Sequence, residues 1–156
     1  MENVVFAYAA GTIDSDGCIQ ITRRKSESNN YYVLRVSVTQ VSECIPIWFV
    51  RNFSGRVDKF IASKERRQPL FRWVIESNKA SDFLTSILPY LIEKSERAKL
   101  GIQFQSTIIH KGFADKLTPE IIENRISMYN QMKILNAKFS RKHWEFHNIQ
   151  KEKEIV

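Results

Sequence analysis

Apolar and polar residues alternate along two pairs of segments in the first half of the chain, as they do in half-buried strands. Residues 18–25 (CIQITRRK) and 31–40 (YYVLRVSVTQ) form the first pair, and the polar run SESNN between them predicts a hairpin turn. A second hairpin is predicted from residues 56–61 and 70–77, which the charged segment ASKERRQP joins. Residues 3–13, before the first strand, instead fit the period of a helix.

Helical patterns follow each hairpin. Ser42 is a typical helix cap, and the apolar residues after it predict a helix that ends near Gly55. Residues 80–91 predict an amphipathic helix that Pro89 stops or kinks, because proline cannot donate the next backbone hydrogen bond. Residues 95–112 predict a further helix.

The last part of the chain is also predicted to be helical. Thr118 and Pro119 are a cap and first-turn pair for a helix that runs to about Leu135, and the tail, residues 139–156, predicts one more short helix. The length of the chain, residues 1–156, is typical of a single domain. The element order, αββαββα followed by helices, predicts an α+β domain whose four antiparallel strands carry helices on one face.

One face of this predicted sheet is left free, and it is polar. The inward positions of the first two strands are the apolar residues Ile19, Ile21, Leu34, Val36 and Val38. The outward positions of the two hairpins are mostly side chains that hydrogen-bond base edges and phosphates: Asp16, Cys18, Gln20, Thr22, Arg24, Arg35, Ser37, Arg56 and Arg72. An ordinary solvated sheet face would have the same pattern, so the alternation alone leaves both interpretations open.

The charge balance favours a polyanionic partner without deciding for one. The 156 residues include 24 lysines and arginines against 17 acidic residues, which gives a formal net charge of +7. No apolar run has the length of a membrane span, and the start MENVVFAYAA lacks the basic region of a secretory signal. We therefore expect an intracellular protein, in an organelle or a prokaryotic cytoplasm, whose Cys18 and Cys44 are buried, reduced thiols.

Two acidic residues lie where the first helix meets the first strand, in the segment AAGTIDSDG (residues 9–17). A calcium loop of the EF-hand type is excluded, because counting from Asp14 the glycine is fourth instead of sixth and Lys25 occupies the twelfth position. The pair Asp14 and Asp16 either caps backbone amides in a turn or belongs to a Mg²⁺ site that another molecule completes.

The same segment resembles the LAGLIDADG motif of homing endonucleases. Six of its residues stand where the family has them, and Ala9 and Thr12 replace leucines. The predicted αββαββα order agrees with the resemblance over most of the chain. The resemblance implies a saddle-shaped sheet and a homodimer, since the chain carries a single motif. It also implies a Mg²⁺-dependent endonuclease, with Mn²⁺ as a substitute, that makes a staggered cut in long, nearly palindromic double-stranded DNA and is encoded in an intron.

The resemblance also implies roles for individual residues. Asp16, with the carbonyl of Ser15, would bind the metal, Gln40 at the end of VTQ would position water, and Lys94 in PYLIEK would offset charge on the phosphate. The polar sheet face would bind DNA, and no membrane or small-molecule substrate is involved. Some relatives carry a basic residue where this chain has Cys44, so that role is vacant or supplied elsewhere. The residues implied at the dimer interface are Ala7, Ala10, Gly11 and Asp14, of which Asp14 supports the helix end and does not bind metal.

Two other functions stay open on the sequence alone. One is a maturase or regulator that keeps the fold and binds RNA or DNA without cutting, and the other is a protein–protein adaptor whose motif match is accidental. The basic residues 64–68 would contact phosphates or lie in solvent at a hairpin tip. His143 and His147 are four residues apart, but without a third ligand a metal site is the weaker interpretation.

Overall fold

A computed structural model describes residues 2–25, 30–61, 68–108 and 118–137. The α and β elements follow one another in the predicted order αββαββα, with two more helices after them. Their bounds are α1 Glu2–Asp16, β1 Gly17–Lys25, β2 Asn30–Gln40, α2 Cys44–Phe53, β3 Arg56–Phe60, β4 Leu70–Glu76, α3 Ser77–Ile87, a 3₁₀ turn Leu88–Tyr90, α4 Ser95–Ser106 and α5 Pro119–Ala137.

The four strands form one antiparallel sheet in the order β1-β2-β4-β3. Both predicted hairpins are present, and the central pair of strands is β2 and β4. Arg35 on β2 lies opposite Gln20 on β1 and opposite Glu76 on β4. Residues that are directly opposite share a face of the sheet, so the register decides which side chains lie together.

The helices pack against one face, as predicted. The inward strand residues are buried to 4% exposure or less and join a single core with Phe49 of α2, Trp73 of β4 and Phe104 of α4. Burial of this apolar face against the helices is the main stabilising term. The opposite face of the sheet is therefore left for contacts outside the chain.

Three predicted helix bounds differ from the structure. The first helix extends beyond residue 13 to Asp16, and the third begins at Ser77 instead of residue 80. The helix predicted to reach Gly112 ends at Ser106. Just after this helix, the carbonyl of Thr107 accepts a hydrogen bond from Nη2 of Arg125 on α5 at 2.5 Å.

The predicted burial of both thiols is wrong, since Cys18 and Cys44 are exposed. Cys18 alternates with buried Ile19 and so lies on the free face of the sheet, and Cys44 begins α2 at the protein surface. No helix within the four described ranges is long and apolar enough to cross a membrane. The predictions for the basic residues 64–67 and for the tail, residues 139–156 with both of its histidines, lie outside the described residues.

Candidate active site and nucleic-acid interface

The end of α1 passes directly into β1 without a loop. Gly17 makes this possible, because a Cβ at that position would lie 2.6 Å from Ile13 Cα and 2.7 Å from Ile13 O. Any other residue would push the strand away from the helix. The close approach leaves the preceding Asp16 exposed, where the surface of α1 meets the edge of the polar sheet face.

Two of the predicted catalytic residues come together at this point. Gln40, the last residue of β2, donates from Nε2 to Asp16 Oδ2 at 2.9 Å. The contact follows from the register, since Gly17 lies opposite Val38 and the end of β2 therefore runs past Asp16. The carboxylate is held in one orientation while it stays open to solvent.

The second acidic residue, Asp14, has a structural contact. Its Oδ2 accepts the backbone N–H of Ile92 at 2.8 Å, and its Oδ1 accepts that of Lys94 at 2.9 Å. Both carboxylate oxygens thus fasten the segment after the 3₁₀ turn to the end of α1. This agrees with the interpretation that Asp14 supports the helix end.

The side chain of Lys94 also contacts the end of α1. Its Nζ donates to the carbonyls of Ile13 at 2.7 Å and Asp14 at 2.8 Å, at the end of a helix where partial negative charge favours a cation. Burial, and then the positive charge of Arg97, lower the pKa of Lys94, and the carboxylate of Asp14 opposes both. Lys94 therefore positions the last turn of α1, next to Asp16. Its predicted role in offsetting phosphate charge stays a prediction.

We expect Asp14→Ala to lower the free energy of unfolding by about 1–3 kcal/mol, since two backbone N–H groups lose a charged acceptor. Urea denaturation monitored by circular dichroism measures the difference. Asp82→Ala, at an exposed position of α3, is the matched control and should cost well under half as much. Equal losses in the two variants would show that the Asp14 contacts contribute nothing.

The exposed side of α1 carries a shallow groove next to Asp16. We call this the α1 groove; it is lined by Ala7, Tyr8, Gly11, Thr12, Ser15, Asp16 and Ile45. A mainly apolar depression with Val4, 73% exposed, and Trp48 continues it along α2. A Cβ added at Gly11 would meet nothing within 4 Å, so the backbone of α1 is open to close approach there.

The predicted interface residues divide between the two sides of α1. Ala7 and Gly11 are exposed in the α1 groove, as a dimer contact requires. Ala10 is fully buried, so its assignment to the interface is wrong. Three residues of helix turn Ala10 about 60° away from Ala7, towards the core, where it packs with Ile13. Asp14 is half-buried and uses both oxygens within the chain, so its interface contact stays a prediction.

The register places every predicted DNA-binding residue on the free face of the sheet. Arg56 lies opposite Val74 and Asp58 opposite Arg72, which shows that β3 presents its arginine on the same face as β1 and β2. The residues brought together on this face are Gln20, Thr22, Arg24, Arg35, Ser37, Arg56 and Arg72.

Arg72 and Ser37, both on this face, differ in how accessible their side chains are. The guanidinium of Arg72 stacks on Phe60 at 4.2 Å and donates to Thr39 Oγ1 at 3.1 Å, so it is held in place. Ser37 is only 7% exposed, because a short side chain on a central strand lies below the long ones around it. The side chain of Ser37 is therefore mostly covered within the chain, and its direct contact with DNA stays a prediction.

Sequence reasoning missed Glu76, the last residue of β4. Three arginines of the polar face approach its carboxylate: Arg24, Arg35 and Arg56. The alternation along β4 could have found it, since Glu76 follows Arg72 and Val74 at every second position.

Solved structures share this architecture. The homing endonuclease I-CvuI, solved in complex with the I-CreI target DNA, superposes with a TM-score of 0.72 at 20% identity, over 86% of this chain and 83% of that chain. The archaeal intron-encoded homing endonuclease I-Vdi141I, also solved with DNA, gives 0.73 at 13% identity, over 91% and 90%. The chain has the LAGLIDADG homing-endonuclease fold. The fold predicted from the motif in residues 9–17 is thus confirmed.

This chain matches one part of a longer structure that has the LAGLIDADG fold. I-GzeII, a LAGLIDADG homing endonuclease solved with its DNA target, gives a TM-score of 0.65 at 14% identity, over 81% of this chain but only 44% of that one. No protein-family model matches this chain, and a sequence search of curated proteins finds no significant match.

Of the two acidic residues in the motif, Asp16 at the end of α1 is the exposed one. A single exposed carboxylate limits how well one chain alone can bind a metal. Within the part of the chain that the structure describes, no three His, Cys, Asp or Glu side chains lie together as a metal site would require. Asp16 is an oxygen ligand of the kind that Mg²⁺ prefers, but Mg²⁺ is octahedral and takes its other ligands from water, phosphate or further carboxylates. The residues fit Mg²⁺ only if a second copy and a phosphate complete the site.

Proposed function

We propose that this chain is a homodimeric, site-specific DNA endonuclease of the LAGLIDADG family that hydrolyses phosphodiester bonds with Mg²⁺, for which Mn²⁺ substitutes. The observation that carries the proposal is the position of Asp16. Its exposed carboxylate, oriented by Gln40, lies where the α1 groove meets the polar sheet face. A carboxylate that can approach both a second copy and a nucleic acid has the placement that metal-assisted phosphodiester hydrolysis needs.

The α1 groove is the surface by which two copies would pair. Its residues are small or apolar around Gly11, and an isologous contact about a two-fold axis would bring the same groove of each copy together. The two copies of Asp16, at the end of each helix, would then meet at the axis. Superposition on less than half of I-GzeII supports a second copy of this fold in the active assembly.

Each residue of the proposed active site would have its own role in the reaction. Asp16 and the carbonyl of Ser15, from both copies, would hold the metal against the scissile phosphate. The metal would lower the pKa of the attacking water and stabilise the leaving 3′ oxygen. Gln40 would orient that water from its position beside Asp16, and Lys94 would keep the end of α1 in place and offset charge developing on the phosphate.

The polar sheet face is the surface for double-stranded DNA. Four strands across each copy would follow the major groove on either side of the central axis, and pairing doubles the formal charge of +7. A two-fold dimer reads a nearly palindromic sequence and cuts both strands with a stagger. We further propose an intron-encoded origin, as stated for I-Vdi141I, and an intracellular location in an organelle or a prokaryotic cytoplasm.

The experiment is linearisation of a supercoiled plasmid that carries a duplex enriched by the protein from a random-sequence pool. Cutting at one place in the presence of Mg²⁺, and none with EDTA, is the expected result. Binding of the enriched duplex without cutting in Mg²⁺ or Mn²⁺ would favour the non-cleaving maturase instead. Failure to enrich any duplex would exclude the endonuclease and favour either an RNA-binding maturase or the adaptor.

Arg24→Ala should weaken binding of the enriched duplex by about 1–3 kcal/mol if its guanidinium contacts a base edge in bidentate fashion. Fluorescence anisotropy at fixed salt measures the change. The neighbouring Arg23 is an exposed residue on the opposite face of β1, so Arg23→Ala removes the same charge away from the surface. Equal effects of the two variants would remove the sheet-face model.

A further inference from the structure

The arginines of the polar face are gathered around one carboxylate. Arg24 of β1 donates from Nη2 to Glu76 Oε1. Arg35 Nε of β2 lies 3.9 Å from Oε1, and Arg56 Nη1 of β3 lies 3.7 Å from Oε2. We call these four residues the Glu76 cluster. Each strand of the sheet contributes one of them, and the Glu76 side chain at their centre is 18% exposed.

Arg35 depends most on this carboxylate. Its side chain is 21% exposed, and its Nε is buried without a hydrogen-bond partner among the described residues. Glu76 lies directly opposite it on β4. A buried cation without an anion nearby is costly, so the negative charge of Glu76 offsets much of the cost of placing Arg35 there. Arg56 is freer, since it is 54% exposed and pairs with Asp58 as well.

The Glu76 cluster affects contacts with DNA phosphates and contacts with base edges in different ways. Phosphates carry the same negative charge in every sequence, so an arginine that must leave Glu76 gains less from a phosphate than an unpaired arginine would. Base edges present acceptors at fixed positions in the major groove. Arginines that a central carboxylate holds in fixed orientations can meet only the sequences whose acceptors match.

We propose that Glu76 is a specificity-determining residue of this surface. It holds Arg24, Arg35 and Arg56 in place and lowers the charge that they offer to DNA of unrelated sequence. This inference rests on the proposed DNA-binding function and adds to it an acidic residue at the centre of the basic face. Glu76 occupies the N-cap position of α3, but its side chain makes no capping hydrogen bond there.

The test is Glu76→Gln, which keeps the shape of the side chain and removes its charge. The probes are an arbitrary 30-base-pair duplex and a random-sequence duplex pool. Affinity for the arbitrary duplex should rise about five- to tenfold near 0.1 M salt, and the slope of log K against log salt should steepen by about 0.9 per chain. Sequencing of the bound pool should show weaker enrichment than with the unaltered chain.

Glu123→Gln is the matched control, because it removes the same charge from an exposed position of α5, away from the sheet. It should leave both the slope and the enrichment unchanged, and the melting temperatures of all variants establish that they are folded. If the unaltered chain enriches a sequence and Glu76→Gln behaves as Glu123→Gln does, the inference is wrong while the proposed function stands. If the unaltered chain binds neither probe, both fail.

Discussion

Asp16→Asn should abolish linearisation of the plasmid that carries the enriched duplex, while the duplex is still bound. The asparagine has the same shape and can still accept the hydrogen bond from Gln40, but it loses the negative charge that makes a carboxylate a much stronger Mg²⁺ ligand than a neutral oxygen. We expect the cutting rate to fall by about 10³-fold or more, which corresponds to roughly 4 kcal/mol in the barrier. Single-turnover cutting and anisotropy measure rate and binding on the same duplex.

The control for this variant is Asp82→Asn, the same change at an exposed position of α3. It should cut at the unaltered rate, so a loss seen only at position 16 is a property of the site and not of net charge. Normal cutting by Asp16→Asn would show that the assignment of the active site is wrong.

Gly11→Leu should separate the two copies without unfolding either of them. The new side chain extends into open space in a single chain, where nothing lies within 4 Å of its Cβ, and leucine favours a helix over glycine by about 0.5–1 kcal/mol. In a pair of helices that approach closely at Gly11, the same side chain collides with its counterpart. We expect a stable monomer by analytical ultracentrifugation, with cutting lost.

Thr85→Leu puts the same leucine side chain at an exposed position of α3 and is the control for Gly11→Leu. It should leave both the assembly state and the cutting activity unchanged. A Gly11→Leu protein that remains a dimer and cuts both strands would place the contact between copies elsewhere on the molecule.

The sequence predicted most of the structural features that depend on the local pattern of residues. Strand alternation correctly separated Ile19 and Ile21 from Gln20 and Thr22, because the period of a strand is two and one face is buried. The motif correctly indicated the fold, and its glycine is explained by the close contact between Gly17 and Ile13. These features depend on neighbours in the chain, so the sequence contains them directly.

What the sequence could not predict depends on contacts between distant segments. The hydrogen bond from Arg125 on α5 to the carbonyl of Thr107, just after α4, joins two helices that are separate in the sequence. Whether Ala10 faces the core or the surface depends on how α1 is rotated about its own axis against the core. The burial of Ser37 depends on the side chains of neighbouring strands. The alternation along β4 places Glu76 on the polar face, but its contacts with arginines of the three other strands depend on the sheet register and on long side chains.

The shared active site can be tested most directly by a cross-link between the two copies. Gly11→Cys, in a chain whose exposed Cys18 and Cys44 are changed to serine, places one thiol in each α1 groove. A disulfide requires the two Cα atoms to lie within about 7 Å, so it reports the close approach of the helices. We expect mild oxidation to give a reducible dimer of twice the chain mass, and we expect the reduced protein to cut both strands. A protein that stays monomeric under the same oxidation, and nevertheless cuts both strands, would contradict it.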